Sequence, residues 1–271
     1  SSQSPAVLAF WRSFVGLVVM APIILRQGWS VMRISRPGLV LTRSLFGTAA
    51  FLCSMFAISD AFDLPLSQFN AISFARALFV TILAALFLRE VVGPWRWGAV
   101  SVGFLGVLIM VLPGLFLPGY ASEAIILDGG TVFALLSALG FAGAIVMVKS
   151  LSSAHSPITL LIWANLLSTL LLAPCLLFEF VMPTLGESGL IVAMALTGVA
   201  GQYFYINGMA VGDASFLAPI DYLRLPMAAL ADWVIFKLLP GAHVWLGAGV
   251  IVSATLFIAF RERRKKTPKD P

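Results

Sequence analysis

The sequence predicts an all-α integral membrane protein with the architecture of an inverted repeat. Three observations predict it: nine apolar stretches are each long enough to cross a bilayer, the basic residues collect on one side of those stretches, and the second half of the chain repeats the first. A hydrocarbon core about 30 Å thick takes roughly 20 apolar residues per helix. Composition agrees, at 60% hydrophobic and 11% charged with mean hydropathy +1.01, where a soluble domain carries about a quarter charged residues. Inside the bilayer the backbone finds no partner but itself, so helices are the economical reading of such runs.

In chain order the expected spans are residues 6–25, 39–59, 66–88, 97–115, 131–148, 157–178, 189–211, 215–236 and 244–260. The first carries Arg12, the third Asn70 and Arg76, the seventh Gln202 and Tyr205, and the eighth Asp221, Arg224 and Asp232. FGTAAF in the second and GFAGA in the fifth are helix-packing glycines, not phosphate cradles. The last span runs into the basic tail RERRKKTPKDP at 261–271.

Orientation follows from the basic residues. If loops alternate sides, one side receives Arg26, Arg33, Arg36, Arg43, Arg89, Arg96, Lys149, Arg261, Arg263, Arg264, Lys265, Lys266 and Lys269, which is 13 of the 17 basic residues. The other side receives Lys237 alone, and Arg12, Arg76 and Arg224 lie within spans. The basic side is the cytoplasmic one. The expectation is a multi-pass inner-membrane protein with its C-terminus in the cytoplasm and the tail on anionic lipid. Residue 1 then lies outside, and SSQSP has neither the charged region nor the cleavage site of a signal peptide. A further helix ahead of residue 1 is expected, giving ten spans. The pI near 9.6 reflects short loops and the tail; no basic stripe with exposed aromatics marks a nucleic-acid surface.

The repeat is visible in fixed positions. Pro5 matches Pro157, Trp11 matches Trp163, and Ala21-Pro22 matches Ala173-Pro174, all at an offset of 152; FAISDA (56–61) parallels MAVGDA (209–214), and WGAVSVGFLGVLI (97–109) parallels LGAGVIVSATLFI (246–258) at 149. A five-helix unit has an odd number of crossings, so the second copy is upside down. Such inverted repeats supply two similar packings, open to either side, around a midplane site. The expected organisation is a first repeat at 1–115, an extracytoplasmic linker at 116–130, a second repeat at 131–261 and a cytoplasmic tail at 262–271.

The arginine in FWRSFVGLVVMAPI, the run ARALFVTILAALFLREVVGPWRWGAVSVGFLGVLI and its counterpart RLPMAALADWVIFKLLPGAHVWLGAGVIVSATLFI resemble the EamA-type drug/metabolite transporters. The resemblance implies a ten-helix fold of two five-helix EamA repeats, of which residues 1–115 would be helices 2–5 and residues 131–261 helices 6–10. The fourth helix of each repeat in that family carries a proline and ends in glutamate. Here the first copy keeps Glu90 but has Ala77, and the second keeps Pro226 but has Leu239. The family handles amino acids, nucleotide-like metabolites, vitamins and toxic cations. The expected activity is secondary active transport of a small amphipathic metabolite, an amino acid or related zwitterion first. The alternative is uptake of an adenosylmethionine- or riboflavin-type compound. A pore-like facilitator and a membrane enzyme acting on lipid head groups are the rival classes.

Ionisable residues in mid-span cost roughly 2.5–3.5 kcal/mol on insertion scales and face a cavity or a partner. On a continuous helix over 215–236, Asp221, Arg224, Ala228 and Asp232 would share one sector. That face is either a cavity wall, or Asp221 and Arg224 pair with each other. Arg76 is either an anchor for an anionic group or an internal partner of Asp221 or Asp232. Asn70, Gln202 and Tyr205 complete the expected substrate contacts, and Asp221 or Asp232 is the candidate for proton coupling. Asp232 alternatively pairs with Lys237. Arg12 either holds a family position or snorkels to the outer interface. Trp163 and Asn165 are weaker candidates. Glu90 reads as a structural clasp to Arg96 or a nearby loop. No catalytic or metal-binding spacing is present: Cys53 and Cys175 lie 122 residues apart within spans, and His155 and His243 fall on opposite sides. No cofactor or metal is called for; with no ATP site, transport is expected to run on gradients, and the expected partners are a small-molecule substrate and membrane lipid, with a monomeric state left open.

Overall fold

The computed structural model describes residues 5–58, 62, 64, 66–117, 129–177, 185–237 and 241–266. Among them the chain is helical throughout: α1 (Pro5–Gln27), α2 (Pro37–Ala57), α3 (Leu66–Phe74), α4 (Arg76–Phe87), α5 (Pro94–Val111), α6 (Gly129–Ser152), α7 (Pro157–Leu172), α8 (Leu185–Val211), α9 (Ala214–Leu217), α10 (Arg224–Phe236) and α11 (Ala242–Lys266). Seven stretches are long and apolar enough to cross a membrane, and Pro157–Leu172 is a shorter apolar helix. Large apolar side chains such as Leu86, Phe87, Phe204, Val211 and Ile235 stand on the outside, as expected of helices facing hydrocarbon rather than water. The chain is a multi-pass α-helical membrane protein.

Proline sets several of the starts. Pro5, Pro37, Pro94 and Pro157 open α1, α2, α5 and α7, where a missing N–H loses nothing and the fixed φ already suits a helix. Ser156 caps α7 by accepting a bond from the Thr159 N–H at 3.2 Å. Pro174 falls where α7 tightens into the 3-10 segment Ala173–Leu177, while Pro22 lies inside an unbroken α1.

Two expected spans are interrupted within their length rather than at an end. Residues 66–88 divide at Ala75, whose N–H bonds to Ile72 O at 2.9 Å, so α4 starts afresh at Arg76. Residues 215–236 divide further: one turn of α9, then the 3-10 segment Ala218–Leu223, then α10. Pro219 has no N–H to continue the ladder of α9. The helix expected to carry Asp221 with Asp232 is therefore not a continuous α-helix: Asp221 lies in 3-10 winding ahead of Arg224, where positions three apart eclipse. The side chain of Asp232, like those of Cys175 and 262–266, lies outside the described residues, as do most of the linker and Leu239.

The fold forms two compact units, each drawing helices from both halves of the sequence. Residues 1–55 and 143–212 make one. Within it α1 packs on its repeat counterpart α7 and on α8. Gly16 lies against Asn165, and the nearest atom to a β-carbon placed there would be Asn165 Oδ1 at 2.9 Å. Trp163 Nε1 donates to Met32 O at 3.0 Å, and Lys149 Nζ donates to Met209 O and Gly212 O at 2.8 and 2.6 Å, satisfying carbonyls at the end of α8.

Residues 56–142 and 213–271 make the other unit. Its spine is α5 against its repeat counterpart α11. A β-carbon on Gly247 would sit 2.6 Å from Gly106 O, and one on Gly106 would sit 3.0 Å from Gly247 O. Glycine is required on both sides of this seam because the backbones themselves touch. The fourth helix of each half ends on a basic residue in the left-handed region, Arg89 at φ 53° and Lys237 at φ 58°.

Candidate functional site

Both helix breaks in the second unit carry the ionisable residues that the sequence singled out. Arg76 is the first residue of α4, and Asp221 lies in the 3-10 segment ahead of α10. The two form an ion pair from Arg76 Nη2 to Asp221 Oδ2, with the side chains 15% and 32% exposed. Of the readings open for Arg76, internal partner of Asp221 is the one the geometry adopts. Arg224 does not take Asp221 as its hydrogen-bond partner. Its guanidinium lies 5.0 Å from the centre of the Phe74 ring, a cation–π distance, and it remains under the fields of both Asp221 and Arg76.

Two aromatic residues that the sequence reading missed complete this cluster. Tyr222 is fully buried, and its ring stands 6.2 Å from that of Phe74. Gly103 on α5 makes room for it: a β-carbon there would fall 2.6 Å from Tyr222 Cδ2. The Tyr222 hydroxyl and Arg76 Nε are buried without a hydrogen-bond partner among the described residues. A buried donor left unmade costs about 1–3 kcal/mol, so this place has unused hydrogen-bonding capacity beside aromatic surface. Asn70 lies on α3, one turn before Phe74, and is half-buried.

Gln202 and Tyr205 belong to the other unit, on α8. There Gly198 lies under Arg12, with Nη1 3.3 Å from an ideal β-carbon, and Tyr205 lies in the field of Arg43. Asn207 bonds to Tyr203 O of its own helix at 2.8 Å, as Thr81 does to Ala77 O at 2.9 Å.

Glu90 does clasp, but to neither expected partner alone. Its Oε1 accepts from the Ala214 N–H at 2.8 Å, and its Oε2 accepts from the Ser215 N–H at 3.0 Å and the Ser215 hydroxyl at 2.5 Å. Arg96 bonds alongside, to Ser215 Oγ at 2.9 Å and Asp213 Oδ2 at 2.8 Å. The carboxylate meets the free N–H groups of α9, where negative charge is stabilised. Sequence offered no route to this pairing, which joins residues 124 and 125 positions apart.

Chemically, the cluster around Arg76 offers an ion pair, a second guanidinium over an aromatic ring, an aromatic pair and spare donors. The model of the EamA-like transporter family matches residues 1–112 and 128–260. The chain is 32% identical over 265 residues to a protein of Rhizobium johnstonii named riboflavin transporter, covering 96% of this chain and 83% of that one. It is 28% identical over 262 residues to the S-adenosylmethionine uptake transporter of Rickettsia bellii, covering 97% and 85%. It is 27% identical over 261 residues to the pseudopaline exporter of Pseudomonas aeruginosa, covering 96% and 88%. A solved crystal structure at 19% identity superposes with a TM-score of 0.81 over 98% of this chain and 91% of that chain, a likeness of fold alone. None of these three names is that of an amino-acid carrier, so the amino-acid substrate expected first gains no support, while the alternative of riboflavin or adenosylmethionine uptake fits. The chain belongs to the EamA-like transporter family, within the drug/metabolite transporter superfamily.

Proposed function

We propose that the protein is a secondary carrier taking up riboflavin, or a flat uncharged heterocycle of that kind, across the inner membrane by alternating access. The observation that carries this reading is the pairing of Arg76 with Asp221 beside Phe74 and Tyr222. The ion pair cancels its own charge, and the remaining guanidinium, that of Arg224, lies over the Phe74 ring. The aromatic rings provide stacking surface for a planar ring system. The Tyr222 hydroxyl and Arg76 Nε are free to meet carbonyl and ring-nitrogen acceptors. Relatives named for riboflavin transport, including the one at 32% identity, support the same substrate. Asn70 and Arg224 lie on the elements that build this site.

An adenosylmethionine substrate is the second reading. Its sulfonium and carboxylate could be met by Asp221 and Arg76 once the pair opens, and the relative at 28% identity favours it. Counterflow in proteoliposomes decides. Saturable exchange of labelled riboflavin, lost in Asp221→Asn and Arg76→Ala, is expected. Exchange of adenosylmethionine without riboflavin would select the second reading, and flux of either that never saturates would make the protein a pore. Export is tested in the same vesicles by loading the substrate inside.

A further inference from the structure

Two carboxylate contacts of the second unit, Asp221 to Arg76 and Glu90 to the start of α9, lie at opposite ends of one frame. Its first side is α4, 12 residues from Arg76 to Phe87, or roughly 18 Å of helix, continuing to Glu90. Its second side is α9 and the 3-10 segment, from Ala214 to Leu223. The sides pack against each other along their length. They run antiparallel, since the start of α4 meets Asp221 near the end of the second side, while Glu90, past the end of α4, meets Ala214 and Ser215 at its start. One carboxylate closes each end.

The second side is poorly held by its own backbone. It has a single α-turn, an N-cap residue, Asp213, that makes no side-chain capping bond, and a proline at 219. A segment with so few internal bonds does not fix its own register. The three bonds from Glu90, reinforced by Arg96 on Asp213 and Ser215, supply that register from outside. The counterpart of Glu90 at the repeat offset of 149 is Leu239, whose side chain has no acceptor.

We infer that Glu90 is a positioning residue for the transport site: by stapling the start of α9 to the end of α4 it sets Asp221 opposite Arg76, and the two staples act as one coupled unit. The substrate-dependent part of this inference rests on the riboflavin reading above. The structural part does not.

The test is hydrogen exchange of the purified full chain, read by peptide mass, together with riboflavin counterflow. In Glu90→Ala, exchange should quicken about 10-fold at 214–217 and equally at 219–224 and 75–79, the far end of the frame. Glu90→Gln, which keeps one acceptor oxygen, should fall between, and Asp221→Asn should loosen 214–217 in return. A purely local cap would loosen 213–217 only, which overturns the inference. In transport, Glu90→Ala should raise the riboflavin KM about 10-fold; in hydrogen exchange it should add nothing at 219–224 and 75–79 in the Asp221→Asn background, and independent, multiplying effects there would overturn the coupling. If Glu90→Ala does not fold, Ser215→Ala removes one bond of the three and serves in its place. Absence of riboflavin flux in the wild type removes the proposed substrate, while the exchange result still decides the positioning role.

Discussion

A residue that loses its partner in a membrane has no water to turn to. Asp221→Asn leaves Arg76 with an amide in place of a carboxylate, and we expect a loss of about 1–3 kcal/mol, below the 3–5 typical of a fully buried pair because both groups are partly exposed. The double change Arg76→Gln with Asp221→Asn should recover part of the stability and none of the transport. Melting in detergent measures the first and counterflow the second. Tyr222→Phe is predicted to split the same two readouts. Its hydroxyl is buried without a partner, so its removal should leave stability unchanged or raise it by about 1 kcal/mol. The riboflavin KM should nevertheless rise. A lowered melting point would show that the hydroxyl already has a structural role. Arg76 and Asp221 were legible in the sequence because a charge inside an apolar span has few explanations. Phe74 and Tyr222 were not, since with 21 phenylalanines an aromatic residue at any one position says little.

Elements show where hydropathy reading ends. It places every long span, because apolar side chains over about 20 residues are what the bilayer requires. It is blind to the backbone ladder inside a span. The break at Ala75 has no proline or glycine beside it, so nothing local announced it; the one at Ala218–Leu223 was signalled by Pro219 but passed for a bend. Glycines were half legible. Gly98, Gly106 and Gly247 stand alike in the repeated segments, yet only the mutual approach of Gly106 and Gly247 tells them from Gly98, which has nothing within 4 Å. Gly247→Ala should therefore lower stability by about 1–3 kcal/mol by overpacking, and Gly98→Ala should leave it unchanged or higher, both measured by melting. Lys237 is an exposed end residue at φ 58°. Lys237→Gly relieves the steric cost of that conformation, worth about 1 kcal/mol in stability, provided the extra freedom of glycine in the unfolded chain does not cancel it.

Across the whole molecule, the repeat and the topology came from different signals. Fixed prolines and tryptophans revealed the repeat, and the distribution of arginine and lysine gave the orientation. A reporter fused after Pro271 is expected to be active in the cytoplasm, and a thiol placed in the 118–128 stretch is expected to react from outside; the reverse pattern would invert the assignment. What periodicity and charge could not convey is that the packing units interlace the halves. Which counterpart helix touches which depends on contacts between residues about 150 positions apart, and no local pattern encodes them.

The glycine seam between α5 and α11 carries a consequence for the order of synthesis. The ribosome completes α5 at Val111 and does not begin α11 until Ala242. For all the intervening elongation, the face of α5 around Gly106 lacks the partner it meets in the finished fold. Lipid or a chaperone must occupy it until α11 is made and displaces them. A nascent chain stalled before residue 242 would thus be fully inserted yet unfinished, with an open groove where its spine belongs and every hallmark of a target for membrane quality control.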